Sequence, residues 1–213
     1  GSRNDGGWAW GLPTSHLEKA FKDAGDDERR KWTIIKHGEA VQGDPDVTSY
    51  TVKPEEHKSP RVTRKLYIPV SKRPKPYDAP HIPLNYRLLR YADILLMYAE
   101  AQVNADGTPN QQSIDIVNQI RGRAGLAPFR QTNANAFLKE VWNQRYFDLC
   151  YENKMWFDML RTRKIRDDKS GEYVDFIGYK TNWGKVYTET QLLFPIPLSE
   201  RQANPNLTQN QGY

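Results

Sequence analysis

The sequence predicts a mainly α-helical protein, with helical hairpins between residues 85 and 165 flanked by loop-rich segments carrying small β elements. Three observations lead there. In the middle of the chain, apolar residues recur at the three- and four-residue intervals of a helix face. Two breakers, "ADGTPNQQ" (105–112) and "AGLAP" (124–128), cut that stretch into pieces of hairpin length. Outside it, glycine and proline recur and the apolar runs are short.

From residue 1 to 84 the chain is expected to be loop-rich. "GGWAWGLPT" (6–14) leads into a short helix, which Thr14 or Ser15 can cap and whose apolar face is Leu17, Ala20 and Phe21. "KWTIIKHG" (31–38) reads as a strand because of its β-branched Thr33, Ile34 and Ile35, and "RKLYIPV" (64–70) as a second. "SKRPKPYDAPHIP" (71–83), with four prolines, is an extended connector.

A long helix is expected over "NYRLLRYADILLMYAEAQVN" (85–104), with Leu88, Tyr91, Ala92, Leu95, Leu96 and Ala99 on one stripe. A second follows in 113–126, presenting Ile114, Val117 and Ile120. A third starts near Asn135 and turns Phe137, Leu138, Val141, Trp142 and Leu149 inward, and "WFDMLRTRK" (156–164) gives a fourth. Paired helices of this length follow the tetratricopeptide plan, in which small residues such as Ala99 and Ala124 sit at helix crossings. Such arrays need about three repeats. A further, N-terminal helical part is therefore expected outside this chain, with an apolar face left open on the 85–126 hairpin. From 166 to 213 the expectation is loop and extended tail. Pro195, Pro197 and Pro205 prevent one continuous last helix, and alternating Phe194, Ile196 and Leu198 suit a short strand.

Composition excludes several functions. The 213 residues carry a net charge of +5, but the basic groups alternate with acids, as in "DDERRK" (26–31) and "RTRKIRDDK" (161–169). No basic stripe for nucleic acid emerges. The single cysteine, Cys150, lies in a predicted helix beside Leu149; it reads as a buried, inert thiol and excludes multi-cysteine metal sites. The longest apolar run, "ILLMYAEA" (94–101), is interrupted by Glu100 and is too short to span a membrane. The four histidines show no metal-ligand spacing, and no nucleotide or nucleophile motif occurs. The acid pairs Asp26-Asp27 and Glu55-Glu56 sit in polar stretches, where solvation is the ordinary role. No enzyme activity, cofactor or metal is expected.

Several blocks together resemble the C-terminal region of SusD/RagB-like proteins: "GWAWGLPTSHLEKAF" (7–21), "GDDERRKWTI" (25–34), "RYADILLMYAEA" (90–101), "VNQIRGRAGL" (117–126), "WFDMLR" (156–161) and "FPIP…NPNLTQNQGY" (194–213). They fall in the family's order. Where the family usually has a Glu-Arg pair this chain has Gln144-Arg145, and Met155 replaces a basic residue, with Lys154 just before it. The resemblance implies a non-catalytic, lipid-anchored protein on the outer face of the outer membrane of Bacteroidetes-type bacteria. Such a protein holds a glycan, or in some members a peptide, for a SusC-like TonB-dependent transporter. Membrane attachment would come only through an N-terminal lipidated cysteine outside this chain; Cys150 is not that residue. Within this reading Arg121, Arg123 and Asp158 are scaffold, as ion pairs or helix caps, Trp156 is core, and the amides of the tail are local hydrogen-bond partners. The alternative is an intracellular tetratricopeptide-type adaptor for a peptide.

Sugar binding calls for flat rings against pyranose C–H faces, with amides and guanidiniums for the hydroxyls. The aromatic share is 12%, with six tryptophans and twelve tyrosines. "RNDGGWAW" (3–10) sets Trp8 and Trp10 on a glycine loop beside Arg3, Asn4 and Asp5, and "KTNWGK" (180–185) repeats the recipe with Asn182 and Trp183. These seven residues are the expected ligand contacts.

Overall fold

The computed structural model describes residues 3–53, 58–78 and 81–213, with Asn4 described in its backbone alone. Glu55, Glu56 and His57 lie outside the described residues. The chain forms two compact units, Gly1–Met155 and Trp156–Tyr213.

In the first unit, α1 (Ser15–Asp23) starts where expected. Thr14 Oγ1 accepts from the Leu17 amide at 3.1 Å, and Leu17, Ala20 and Phe21 are buried. The Phe21 ring packs on Phe147 at 4.8 Å. The strand expected over 31–38 is shorter than its composition suggests. Asp26 caps α2 (Asp27–Thr33), with acids in its first turn and bases in its last, and this helix takes Lys31–Thr33. Only Ile34–Lys36 remain as β1, which pairs antiparallel with β2 (Arg61–Thr63), Ile35 opposite Val62. The strand expected over 64–70 does not form. The chain turns there instead, the Tyr67 amide donating to the Arg64 carbonyl at 3.0 Å, and a 3-10 turn follows Pro69.

The helical hairpins are present. α3 (Tyr91–Asp106) packs on both α4 (Gln111–Arg123) and α5 (Ala134–Asp148). Asn110 and Asn133 cap α4 and α5, and Gly107, at φ 73°, ends α3 in the left-handed conformation that favours glycine. Leu96, Ala99 and Val103 meet Ile116, Val117, Ile120, Phe137 and Val141 in one core.

α3 begins at Tyr91, not Asn85, because Arg90 is extended and its guanidinium is held outside the helix. Nη2 reaches Asp148 Oδ2 at 2.9 Å, and Nε reaches Glu152 Oε2 at 2.6 Å. Leu88 and Tyr91 therefore do not face the core: Tyr91 is 73% exposed, and with Ile94, Met97 and Tyr98 it forms an open outer face on α3. The helix is apolar on both sides, so periodicity alone could not tell which side is inside.

Cys150 lies in the turn after α5 rather than within a helix, and burial pushes its thiol up to about 12, as an inert group requires.

Charged side chains tie these helices together. Arg29 bonds Asp26 at 2.5 Å and Gln144 Oε1 at 2.8 Å, and Gln144 Nε2 donates to Glu140 at 2.7 Å. Arg121 also bonds Glu140, and Arg123 bonds Asp148 at 2.6 Å, so both arginines are the ion-pairing scaffold expected of them. Asp93 is shared between Arg145 at 2.8 Å and Lys154 at 3.0 Å. Burial works against ionisation of Asp93 and Asp148. It is outweighed by Lys154 and Arg145 around the first and by Arg90 and Arg123 around the second, so both carboxyls sit below the ordinary value of 3.8.

An acid folded-state pKa below the unfolded one stabilises the fold above the unfolded value, and that contribution is lost as pH falls through the folded value. The thermal midpoint is therefore expected to hold down to about pH 4 and to fall steeply below it. In Asp93→Asn the acid-side fall should be shallower; a slope equal to the parent's would refute the assignment.

In the second unit, β3 (Lys164–Arg166) pairs antiparallel with β4 (Tyr173–Asp175) after α6 (Met155–Thr162). Asp158 pairs with Arg161 at 2.7 Å, as expected. Trp156 was expected in the core, but the fully buried ring is Phe176. Phe176 stacks on Tyr187 at 4.5 Å, and Trp156, half-buried, meets each of them edge-on at 5.9 Å. The tail does not form the expected strand. Pro197, at φ −54°, leads into the short helix α7 (Leu198–Ala203). The amides act as expected: Gln209 bonds both the amide and the carbonyl of Ile196, at 2.8 and 3.0 Å, and Asn210 Nδ2 donates to Phe194 O at 2.7 Å.

Candidate functional site

The loop before α1 is pinned at its base and projects its rings outward. A 3-10 turn, Arg3–Asp5, opens it. The Asp5 carboxylate accepts from Tyr50 Oη at 2.5 Å and from Arg73 Nη1 at 2.9 Å, so it anchors the turn to two distant segments. Leu12 packs against Ile35, Val41, Tyr50, Val52 and Val62, and Ser59 Oγ donates to Pro13 O at 2.9 Å. Between these anchors the backbone kinks. Ala9 is left-handed at φ 56°, a conformation costing a non-glycine residue about 1–2 kcal/mol. The kink stacks Trp8 on Trp10, with ring centroids 5.7 Å apart and planes 27° from parallel. They are 56% and 77% exposed.

Two residues apart, the two indoles would share a face if the loop were simply extended. The structure keeps them together by a different device, a left-handed residue between them. Both rings are surface features; neither anchors the loop to the core. Asp5 is engaged at the base and Arg3 is exposed beside it. The anchoring partners Tyr50 and Arg73 escape sequence analysis, since they lie 45 and 68 residues from Asp5 and no local spacing relates them.

The second cluster belongs to the other unit. Asn182 and Trp183 occupy the tip of a small hairpin closed by the Lys180–Val186 bridge and by Thr181 N to Lys185 O at 2.8 Å. Asn182 Nδ2 donates to Asp168 Oδ2 at 2.8 Å, and Trp183 is 74% exposed. The first cluster thus offers two solvent-facing indoles and the second an exposed indole next to an amide, surfaces suited to stacking and hydrogen bonding. Among the described residues, no group of histidine, cysteine and carboxylate side chains is arranged to hold a metal ion, and no helix is long and apolar enough to cross a membrane.

The family model described as the SusD family matches residues 18–213. The chain is 30% identical over 138 residues to the SusD-like protein P38 of Formosa agariphila, covering 61% of this chain and 25% of that one. It is 61% identical to a SusD superfamily protein of Parabacteroides distasonis whose crystal structure is known. That match has a TM-score of 0.72 and covers 95% of this chain and 42% of the other. The surface glycan-binding protein A of Bacteroides uniformis shares the fold, with a TM-score of 0.67 at 22% identity over 92% of this chain and 40% of that one. The chain thus spans well under half the length of these relatives.

Proposed function

Since this chain belongs to the SusD family, we propose that it supplies a non-catalytic glycan-binding surface, with the Trp8–Trp10 pair as its platform. The observation that carries the reading is the pair itself: two indoles stacked, exposed and set on a loop whose base is locked by Asp5. Exposed aromatic surface held rigidly loses little freedom when a ring stacks upon it. A protein of the same fold, in B. uniformis, is a surface glycan-binding protein, which supports sugar as the ligand class. Arg3, Asn4 and Asp5, in the turn that opens the same loop, are the polar contacts of this reading, and Asn182 with Trp183 is a separate candidate contact in the other unit.

The wider role extends from the same premise. The whole protein presents the glycan at the cell surface to a SusC-like TonB-dependent transporter in the outer membrane, tethered by a lipid on an N-terminal cysteine outside this chain. An N-terminal helical part covers the open outer face of α3. The family match favours this role over that of a peptide-binding tetratricopeptide adaptor.

Titration of the glycan selected on an array tests the platform. Trp8→Ala or Trp10→Ala should weaken binding by about 1–3 kcal/mol with unchanged helix content. If both variants bind as tightly as the parent, the platform lies elsewhere, and Trp183 is examined next.

A further inference from the structure

Trp32, in the last turn of α2, is 48% exposed yet firmly seated. Its indole edge lies against Gly43, where an added Cβ would stand 2.7 Å from Cη2 and 3.0 Å from Cζ3. Gly43 has φ +76°, so both the conformation and the close approach call for glycine. The Arg64 guanidinium lies over the indole at 5.3 Å and over the Tyr67 ring at 5.1 Å. Arg64 is itself buried and fixed, with Nε donating to Gln42 O at 2.9 Å and Nη1 to Tyr67 O at 3.2 Å. A guanidinium lies over the Trp32 ring and the Gly43 backbone against its edge, and about half of the residue stays exposed.

The stack continues beyond Tyr67. Arg73 lies over Tyr67 at 5.1 Å and over Tyr77 at 4.7 Å. Arg73 is also the residue that holds Asp5, at the base of the Trp8–Trp10 loop. A ladder of alternating arginines and rings therefore connects two exposed indole sites within one compact unit. Hydrogen bonds place the arginines of this ladder as well as their rings do, Arg64 through the Gln42 and Tyr67 carbonyls and Arg73 through Asp5 and the Ile68 carbonyl.

We propose that Trp32 is a second sugar-stacking subsite, so that a glycan of several pyranose units engages Trp32 together with Trp8–Trp10. This rests on the glycan reading above. A side chain already fixed in its bound orientation loses little entropy on binding. The ligand class it suits is an extended oligosaccharide rather than a single sugar.

The experiment uses the 213-residue chain and an array of neutral hexasaccharides spanning α- and β-linked glucans, xylan, mannan and galactan. The tightest binder is then titrated as hexasaccharide and as disaccharide against the parent, Trp8→Ala, Trp32→Ala and Trp32→Leu, the last filling the seat without an aromatic face. Trp32→Ala and Trp32→Leu are expected to weaken the hexasaccharide about fivefold or more and to leave the disaccharide unchanged. Should Trp32→Ala lose its helical signal, Trp32→Leu decides the result. Hexasaccharide affinity unchanged in the Trp32 variants but reduced in Trp8→Ala overturns the subsite and leaves the platform standing. Equal losses for both ligand lengths in the Trp32 variants overturn the two-site arrangement. No binder on the array, or no loss in any variant, overturns both this inference and the reading beneath it.

Discussion

Phe137→Ala should lower unfolding stability by about 3–5 kcal/mol, the range for removing a large aromatic ring from a closed core. Phe137 is fully buried on α5, where it meets Phe129 at 6.2 Å and completes the cluster built from α3 and α4. Most of its loss is transfer and cavity energy, because helices on two sides prevent the site from collapsing. The contrasting change is Tyr91→Ala. Tyr91 belongs to the same apolar pattern but points outward, so its truncation should stay within about 0.5 kcal/mol. Urea denaturation of both variants, with circular dichroism at the helix band, checks the pair. A loss below about 1 kcal/mol for Phe137→Ala would show that the three-helix core is not the stabilising centre of this unit.

Arg145→Met is the second large effect, expected to cost about 3 kcal/mol. Arg145 and Asp93 are both nearly inaccessible to solvent and pair at 2.8 Å across α5 and α3. Methionine keeps much of the volume but removes the charge and leaves a buried carboxylate with Lys154 as its remaining counter-charge. Lys154 is more exposed than Arg145, which places the expected loss at the low end of the range for breaking a buried pair. The double variant Asp93→Leu with Arg145→Met removes both buried charges, and should recover a large part of the loss. If the double variant is no more stable than Arg145→Met, the loss comes from packing rather than from the stranded carboxylate.

Gln144 and Arg145, neighbours on α5, serve different partners. Arg145 serves Asp93, while Gln144 passes a hydrogen bond from Arg29 to Glu140 inside the same core. A neutral amide at 144 has both a donor and an acceptor, and this position uses both. The surroundings of Glu140, already bonded to Arg121, would gain a second acidic group if the residue were glutamate.

Local chemistry by itself determined the hairpin helices and their breakers, the cap and buried face of α1, and the presence of aromatic loops with polar neighbours; on α4 it marked Val117 and Ile120 but missed the buried Ile116. These depend on interactions within three or four residues: Thr14 bonds Leu17, and Asn110 bonds Ser113. The family blocks were legible for the same reason, being short and in order. What only the tertiary structure decided was direction and partnership. α3 carries apolar residues all round, and the packing of α4 and α5 selected Leu96 over Tyr91 as core. Arg90 stayed extended because Asp148 and Glu152, about sixty residues away, hold it outside the helix. Trp32 looked like part of a strand until the Asp26 cap placed it on α2 and Gly43 and Arg64 gave it a seat. Hydrophobic periodicity records how much apolar surface a segment has; which neighbour covers it is set by chain segments that sequence spacing does not relate.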